Sequence, residues 1–167
     1  EAGSLLLDKN IEEVVILSTC NRSEIYIASR DIDKGIEDVV NLYKEFFKVE
    51  DTEKYLLIEK NKECVFHLYK VAAGLDSLVI GEDQILGQVK EALLSAMELN
   101  FSKKVLNRLF QEALCEGKKI RKEIKISEVP LSTSYIGINL LKEQLGSLEG
   151  KKALVIGAGE ISRLSLT

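Results

Sequence analysis

The sequence is poor in the residues that mark special structural classes: among 167 residues there are one proline, no tryptophan, one histidine and three cysteines. With 46% hydrophobic and 30% charged residues, collagen-like and disordered readings are excluded, and a globular protein of one domain, or one domain plus part of another, is expected. Cys20, Cys64 and Cys115 stand 44 and 51 residues apart, which fits no C-x-x-C metal or redox spacing. An odd count also argues against a disulfide framework, so at least one thiol is expected free. No run of 18 uncharged apolar residues exists, and no helical membrane span is expected. The first residues lack the basic and apolar regions of a secretion signal, which makes the cytoplasm the expected compartment. Residue 1 is Glu rather than Met, so a chain cut from a longer polypeptide is expected.

A net charge of −4 argues at first against a polyanionic partner, but the charge is unevenly spread. Residues 101–125 hold eight basic side chains (Lys103, Lys104, Arg108, Lys118, Lys119, Arg121, Lys122, Lys125) against three Glu, a local +5. Such a stripe can follow a phosphate backbone, or it can be a solvated helix face.

Two β-branched runs, 13–18 and 23–29, are predicted strands flanking T-C-N-R, which puts Thr19, Cys20, Asn21 and Arg22 on a strand end and the turn after it. Ile36, Val39, Val40, Tyr43, Phe46 and Phe47 recur at helical spacing and predict an amphipathic helix over 34–48. A third strand is predicted around Leu56 to Ile58. A helix over 62–73 should stop at Gly74, since glycine enters the left-handed region without a Cβ penalty. Further helices are predicted over 85–97 and 102–125. The lone Pro130 closes that region, and Ser132 is the expected N-cap of a helix ending near Gly146. The domain boundary is expected between Ser127 and Gly150.

Residues 151–162 combine an apolar run, A-L-V-I, with G-x-G-x-x-S, the pattern of a dinucleotide-binding strand–turn–helix. Gly157, Ala158, Gly159, Glu160, Ile161 and Ser162 are then the candidate cofactor-binding residues, with a helix N-terminus facing the pyrophosphate. A βαβ unit needs about 30 residues, and the acid that reads the ribose lies about 20 beyond the glycines. The chain stops at Thr167, so weak or absent NADPH binding by this chain alone is expected.

A thiol at a strand end beside Arg22 is well placed for nucleophilic work, because positive charge favours thiolate and a guanidinium can clamp a carboxylate. Cys64 and Cys115 lie among apolar residues at helical positions and are expected to be packed structural thiols. His67, taken alone, shares a helix face with apolar neighbours. The segment H-L-Y-K-V-A-A-G-L-D-S-L-V-I-G-E-D-Q-I-L-G-Q-V-K (67–90) then joins an apolar loop to Asp76, Ser77, Glu82, Asp83, Gln84 and Gln88. That density of amides, hydroxyls and carboxylates suits a pocket for a small polar substrate.

With these residues in view, the sequence resembles the glutamyl-tRNA reductases. The resemblance rests on L-S-T-C-N-R-S-E-I-Y (17–26), on the 67–90 segment and on the glycine fingerprint, in order and spacing. It implies an α/β (α+β) architecture: a ferredoxin-like split βαβ catalytic domain with added helices (1–130), then a linker helix and the truncated start of a Rossmann domain (131–167). The family's opening strand and its dimerisation domain are expected to lie outside the chain. The implied reaction is reduction of glutamyl-tRNA by NADPH to glutamate-1-semialdehyde, the first step of the five-carbon route to tetrapyrroles and heme, with no metal or flavin.

The resemblance makes Cys20 the nucleophile that forms a thioester and His67 a residue tied to activity, its role open. Arg22 would hold the γ-carboxylate, with Thr19, Asn21, Ser77, Glu82, Asp83, Gln84 and Gln88 lining the glutamyl pocket. Glutamyl-tRNA, a homodimer in the full-length enzyme and a complex with glutamate-1-semialdehyde aminomutase are the implied partners. Two other readings compete. A generic nicotinamide-dependent dehydrogenase uses the fingerprint but gives no reason for T-C-N-R, and a non-catalytic tRNA-binding module uses the basic stripe but leaves Cys20 idle.

Overall fold

A computed structural model of the chain describes residues 2–7, 10–77, 84–124, 133–157 and 162–163. Two strands, β1 (Ile11–Ser18) and β2 (Ser23–Ser29), form an antiparallel hairpin. Around it lie α1 (Ala2–Leu7), α2 (Ile32–Phe47), α3 (Lys62–Ala73), α4 (Gln84–Glu98) and α5 (Lys104–Glu123), followed by α6 (Thr133–Leu145). None of the described helices is long and apolar enough to cross a membrane.

The hairpin is covered on both faces because its strands are apolar in both phases of the period-2 alternation. Val15, Leu17 and Tyr26 face a core made with Leu68 and Val71 of α3, Val89 of α4, and Phe110 and Ala113 of α5. Val14, with Ile16, Ile25 and Ile27, faces Leu6 of α1 and Val39 and Leu42 of α2. Between Ile11 and Glu13 the register shifts by one residue, so Ile11 joins the α1/α2 side while Glu13 shares the phase of Val15.

That shift aims a carboxylate at a helix terminus. Glu13 is buried, and its two oxygens accept from the backbone N–H groups of Lys103 (2.8 Å), Val105 (2.9 Å) and Leu106 (2.8 Å). The first turn of a helix leaves donors without intrahelical partners, and a carboxylate from another element supplies acceptors there. Val14 N–H adds a bond to the Phe101 carbonyl at 2.9 Å. Farther along α5, Gly117 lets the helix meet α3, since a Cβ there would stand 2.9 Å from the Ala72 carbonyl oxygen. At the end of α3, Gly74 takes φ 76° and donates to Val71, and Leu75 donates to Lys70, the expected glycine stop.

Several expectations are corrected. Leu56 to Ile58 form no strand: a 3-10 turn at Thr52–Tyr55 runs into an unpaired extended segment in which Leu57 is exposed. The described sheet therefore has two strands, and the four-stranded ferredoxin-like pattern is absent among the described residues. Phe46 and Phe47, assigned to the apolar face of α2, are exposed; Phe47 stacks on Tyr43 and meets Phe46 edge-on, so they pack on their own helix rather than on the core. Residues 151–157 form no strand, with Leu154 and Ile156 87% and 90% exposed; a parallel-type strand needs neighbours to pair its backbone. Ser132 and Pro130 lie outside the described residues.

Replacing Glu13 by Ala should leave the α5 donors facing apolar side chains. Urea unfolding of this chain is expected to show a loss of about 3 kcal/mol, the scale of a charged acceptor removed from buried donors; a loss within experimental error would show that the cap does not hold β1 to α5.

Candidate functional site

The four residues between the strands form a tight turn fastened by Thr19. Its N–H donates to the Arg22 carbonyl at 2.8 Å, and its Oγ1 accepts from the N–H groups of Asn21 and Arg22, each at 3.2 Å. Cys20 and Asn21 are thereby exposed at the tip. Arg22 turns back against the body, its side chain only 11% exposed.

Arg22 is held from two sides. Nη1 donates to Glu24 Oε1 at 2.6 Å, while Nη2 donates to the Asp76 carbonyl at 2.5 Å and to Asp76 Oδ2 at 3.3 Å. Glu24 is itself a hub: its Oε2 accepts from the Tyr26 hydroxyl at 2.5 Å, and its Oε1 lies 3.0 Å from His67 Nε2. Burial pushes the Glu24 carboxyl up, but the hydrogen bonds from His67 and Tyr26 and the charges of His67 and Arg22 outweigh it and hold the group below its ordinary value. The hydrogen bond to Glu24 conversely raises His67, against the opposing effect of burial. Tyr26 is pushed up by burial and by Glu24, so it stays a neutral donor. Its ring is anchored edge-on against Phe110, centroids 5.1 Å apart.

A hollow of about 60 Å³ lies at the turn, lined by Thr19, Cys20, Asn21 and Arg22, by Asp76 and Ser77 after α3, and by Ile85 and Gln88 of α4. Six of the expected site residues thus converge. Gln84, the first residue of α4, is exposed and does not line the hollow; Glu82 and Asp83 lie outside the described residues. His67 lines an adjoining cleft of about 540 Å³ between β2, α2 and the 55–61 segment, and Asn21, Arg22 and Asp76 border both spaces. The sequence reading missed Glu24, although period-2 alternation puts it in the phase of buried Tyr26, where a carboxylate needs a partner. Asp76 appeared only as one polar group among several, because nothing local shows that the turn after Gly74 carries it back to Arg22.

The other two thiols differ. Cys64 packs against the core, and its pKa is raised by burial and by the carboxylates of Glu24 and Glu59. Cys115, expected among apolar neighbours, is exposed. The packed face of α5 is Leu106, Phe110, Ala113 and Gly117, which leaves Cys115 on the far side with Lys118 and Lys122. Of the basic stripe, Lys103, Lys104, Arg108, Lys118, Lys119 and Lys122 are exposed, with Lys119 paired to Glu116 and Arg108 near Glu112. Arg121 leaves the stripe, being buried on the packed face, and Lys125 is outside the described residues.

Of the candidate cofactor residues, Gly157 has φ 116° and Ser162 lies near it, while Ala158, Gly159, Glu160 and Ile161 lie outside the described residues. With 151–157 exposed and unpaired, the described residues do not form a dinucleotide cradle.

The turn thus presents an exposed thiol beside an arginine that holds two carboxylates, those of Glu24 and Asp76. Residues 2–124 match the profile of the glutamyl-tRNAGlu reductase N-terminal domain. A glutamyl-tRNA reductase of Clostridium novyi (strain NT) is 58% identical over 166 residues, covering 99% of this chain and 40% of the relative. That of Carboxydothermus hydrogenoformans is 45% identical, covering 98% and 37%. The solved structure of glutamyl-tRNA reductase from Methanopyrus kandleri superposes with a TM-score of 0.69 at 31% identity, over 99% of this chain and 39% of that one. The chain therefore belongs to the glutamyl-tRNA reductase family, and it spans about 40% of the length of these relatives.

His67 is the sole histidine, so its ring titrates as a single resonance. Its midpoint is expected above 6.5 and should fall in Glu24→Gln; an unchanged midpoint would remove Glu24 as the cause. The sign of the stability effect follows. The raised His67 value stabilises the fold below about pH 6.5 and loses that effect as pH rises through the folded value, whereas the lowered Glu24 value stabilises above about pH 4.5 and loses its effect as pH falls through the folded value.

Proposed function

We propose that this chain is the glutamyl-transfer part, residues 1–130, of a glutamyl-tRNA reductase acting in tetrapyrrole biosynthesis, with residues 131–167 leading into a cofactor domain. The observation that carries the reading is the exposed Cys20 at a rigid hairpin tip, in a hollow that also presents Arg22, Ser77 and Gln88. The Cys20 thiolate attacks the ester carbonyl of glutamyl-tRNA. An S–C bond forms, the bond to the ribose oxygen breaks, and tRNA departs with its hydroxyl reprotonated.

Arg22 grips the substrate γ-carboxylate, and the amides and hydroxyls of Asn21, Ser77 and Gln88 orient the rest. A glutaminyl group in the same place offers Nη2 a neutral amide where glutamyl offers a carboxylate, which is the basis for rejecting it. His67 serves as a positioning residue: it fixes Glu24, which fixes Arg22. Glutamyl thioester reduction draws its hydride from NADPH held by the rest of the enzyme. In the same proposal the full-length enzyme is cytoplasmic and homodimeric, and passes its aldehyde to glutamate-1-semialdehyde aminomutase.

Full-length enzyme given glutamyl-tRNA without NADPH should carry a glutamyl adduct on Cys20 and none on Cys64 or Cys115 by mass spectrometry. Reduction that survives Cys20→Ser, with no adduct, would sink the proposal. For the exposed face of α5, reversing Lys118 and Lys122 to Glu should weaken tRNA binding and flatten its salt dependence by about one unit of slope per lost phosphate contact. Unchanged binding would return that face to solvent.

A further inference from the structure

The grip on Arg22 has one weak member. A guanidinium binds a carboxylate at two points either end-on, through Nη1 and Nη2, or side-on, through Nε and Nη2. Both arrangements use Nη2, and here both Nη2 hydrogens are engaged by Asp76, one by its carbonyl and one by its carboxylate. A substrate carboxylate can take a two-point hold only if one of these contacts is released. The carbonyl is main chain, fixed by the glycine stop of α3 and 2.5 Å from Nη2. Glu24 is fixed by Arg22, Tyr26 and His67 together. The Asp76 carboxylate is the yielding group, 3.3 Å away on a side chain 39% exposed.

Space gives the same answer independently. The hollow beside Cys20 holds about 60 Å³. A cavity of about 150 Å³ is the size that takes benzene, and a glutamyl group is larger, so the hollow as it stands does not enclose one. Asp76 and Arg22 border both the hollow and the larger cleft. Their ion pair stands between the two spaces, and withdrawing the Asp76 side chain enlarges the hollow at the point where the substrate carboxylate must sit.

We propose that the Asp76 carboxylate is a built-in stand-in for the substrate carboxylate: it occupies Arg22 and closes the pocket at rest, and an incoming carboxylate displaces it. This rests on the reading of Arg22 as the γ-carboxylate site. The exchange replaces one anion by another, so the buried guanidinium is never left bare. The ratio of carboxylate to amide binding is set by Arg22 and is untouched by the latch, because every ligand must displace Asp76 equally. What the latch sets is the absolute concentration at which any ligand occupies the pocket.

Asp76→Asn in the full-length enzyme keeps the main-chain contact and removes the competing charge. Single-turnover thioester formation on Cys20 should then half-saturate at about two- to fivefold lower glutamyl-tRNA, the worth of a part-exposed ion pair. A second measurement does not depend on acyl transfer. Glutarate should protect Cys20 from iodoacetamide at about two- to fivefold lower concentration in Asp76→Asn than in wild type, with Cys64 and Cys115 followed as references. Half-saturation or protection that weakens or stays level in Asp76→Asn, with melting temperature unchanged, would show that Asp76 positions Arg22 rather than competing for it. Wild-type enzyme that is protected by glutarate yet forms no thioester would count against the acyl-transfer reading alone and leave the latch standing.

Discussion

The buried carboxylate of Glu13 is the constraint on which the rest of the described structure depends. It solves two problems that neither element solves alone. A carboxylate inside a core is costly without donors, and the first turn of a helix has donors without acceptors. The bulge in β1 brings the two together across 90 or more residues of sequence. Once α5 is pinned at that end, Phe110 lies against Tyr26 and Gly117 against Ala72. The helix is then the wall on which both β2 and α3 rest.

From that wall the order passes to the site through a short chain of contacts. Phe110 holds the Tyr26 ring, the Tyr26 hydroxyl holds Glu24, and Glu24 holds both Arg22 and His67. A part-buried ionic cluster of this kind is weak evidence for stability, because desolvation offsets much of the attraction. Its value lies in geometry: each group has one position in which its partners are all satisfied. Arg22 reaches the turn already oriented, with His67 acting from behind it.

Local structure was legible where the signal was local. The two strands, the glycine stop after α3 and the helical spans of α3, α4 and α5 follow from β-branched runs, spacing and one conformationally permissive residue. The T-C-N-R turn was legible for the same reason, and of the polar cluster Ser77 and Gln88 lie beside it while Gln84 does not. What was not legible depended on partners distant in sequence. Leu56 to Ile58 have strand composition but no strand beside them, and Arg121 looks like any basic residue until the packing of α5 buries it. Cys115 is the converse case, a thiol among apolar letters that a rotation of 100° per residue carries to the exposed face.

The same dependence on partners separates the two halves of the proposed chemistry. Residues 2–7, 10–77 and 84–124 close a core on both faces of the hairpin and supply the described contacts around Arg22. Residues 151–157 have the letters of a buried parallel strand yet remain exposed, as do Leu140, Leu141 and Leu145 of α6. A parallel strand obtains its hydrogen bonds and its cover from neighbouring strands and crossover helices. Cys20 and Arg22 therefore stand among contacts that the described residues supply, whereas 151–157 have no described neighbour to pair their backbone.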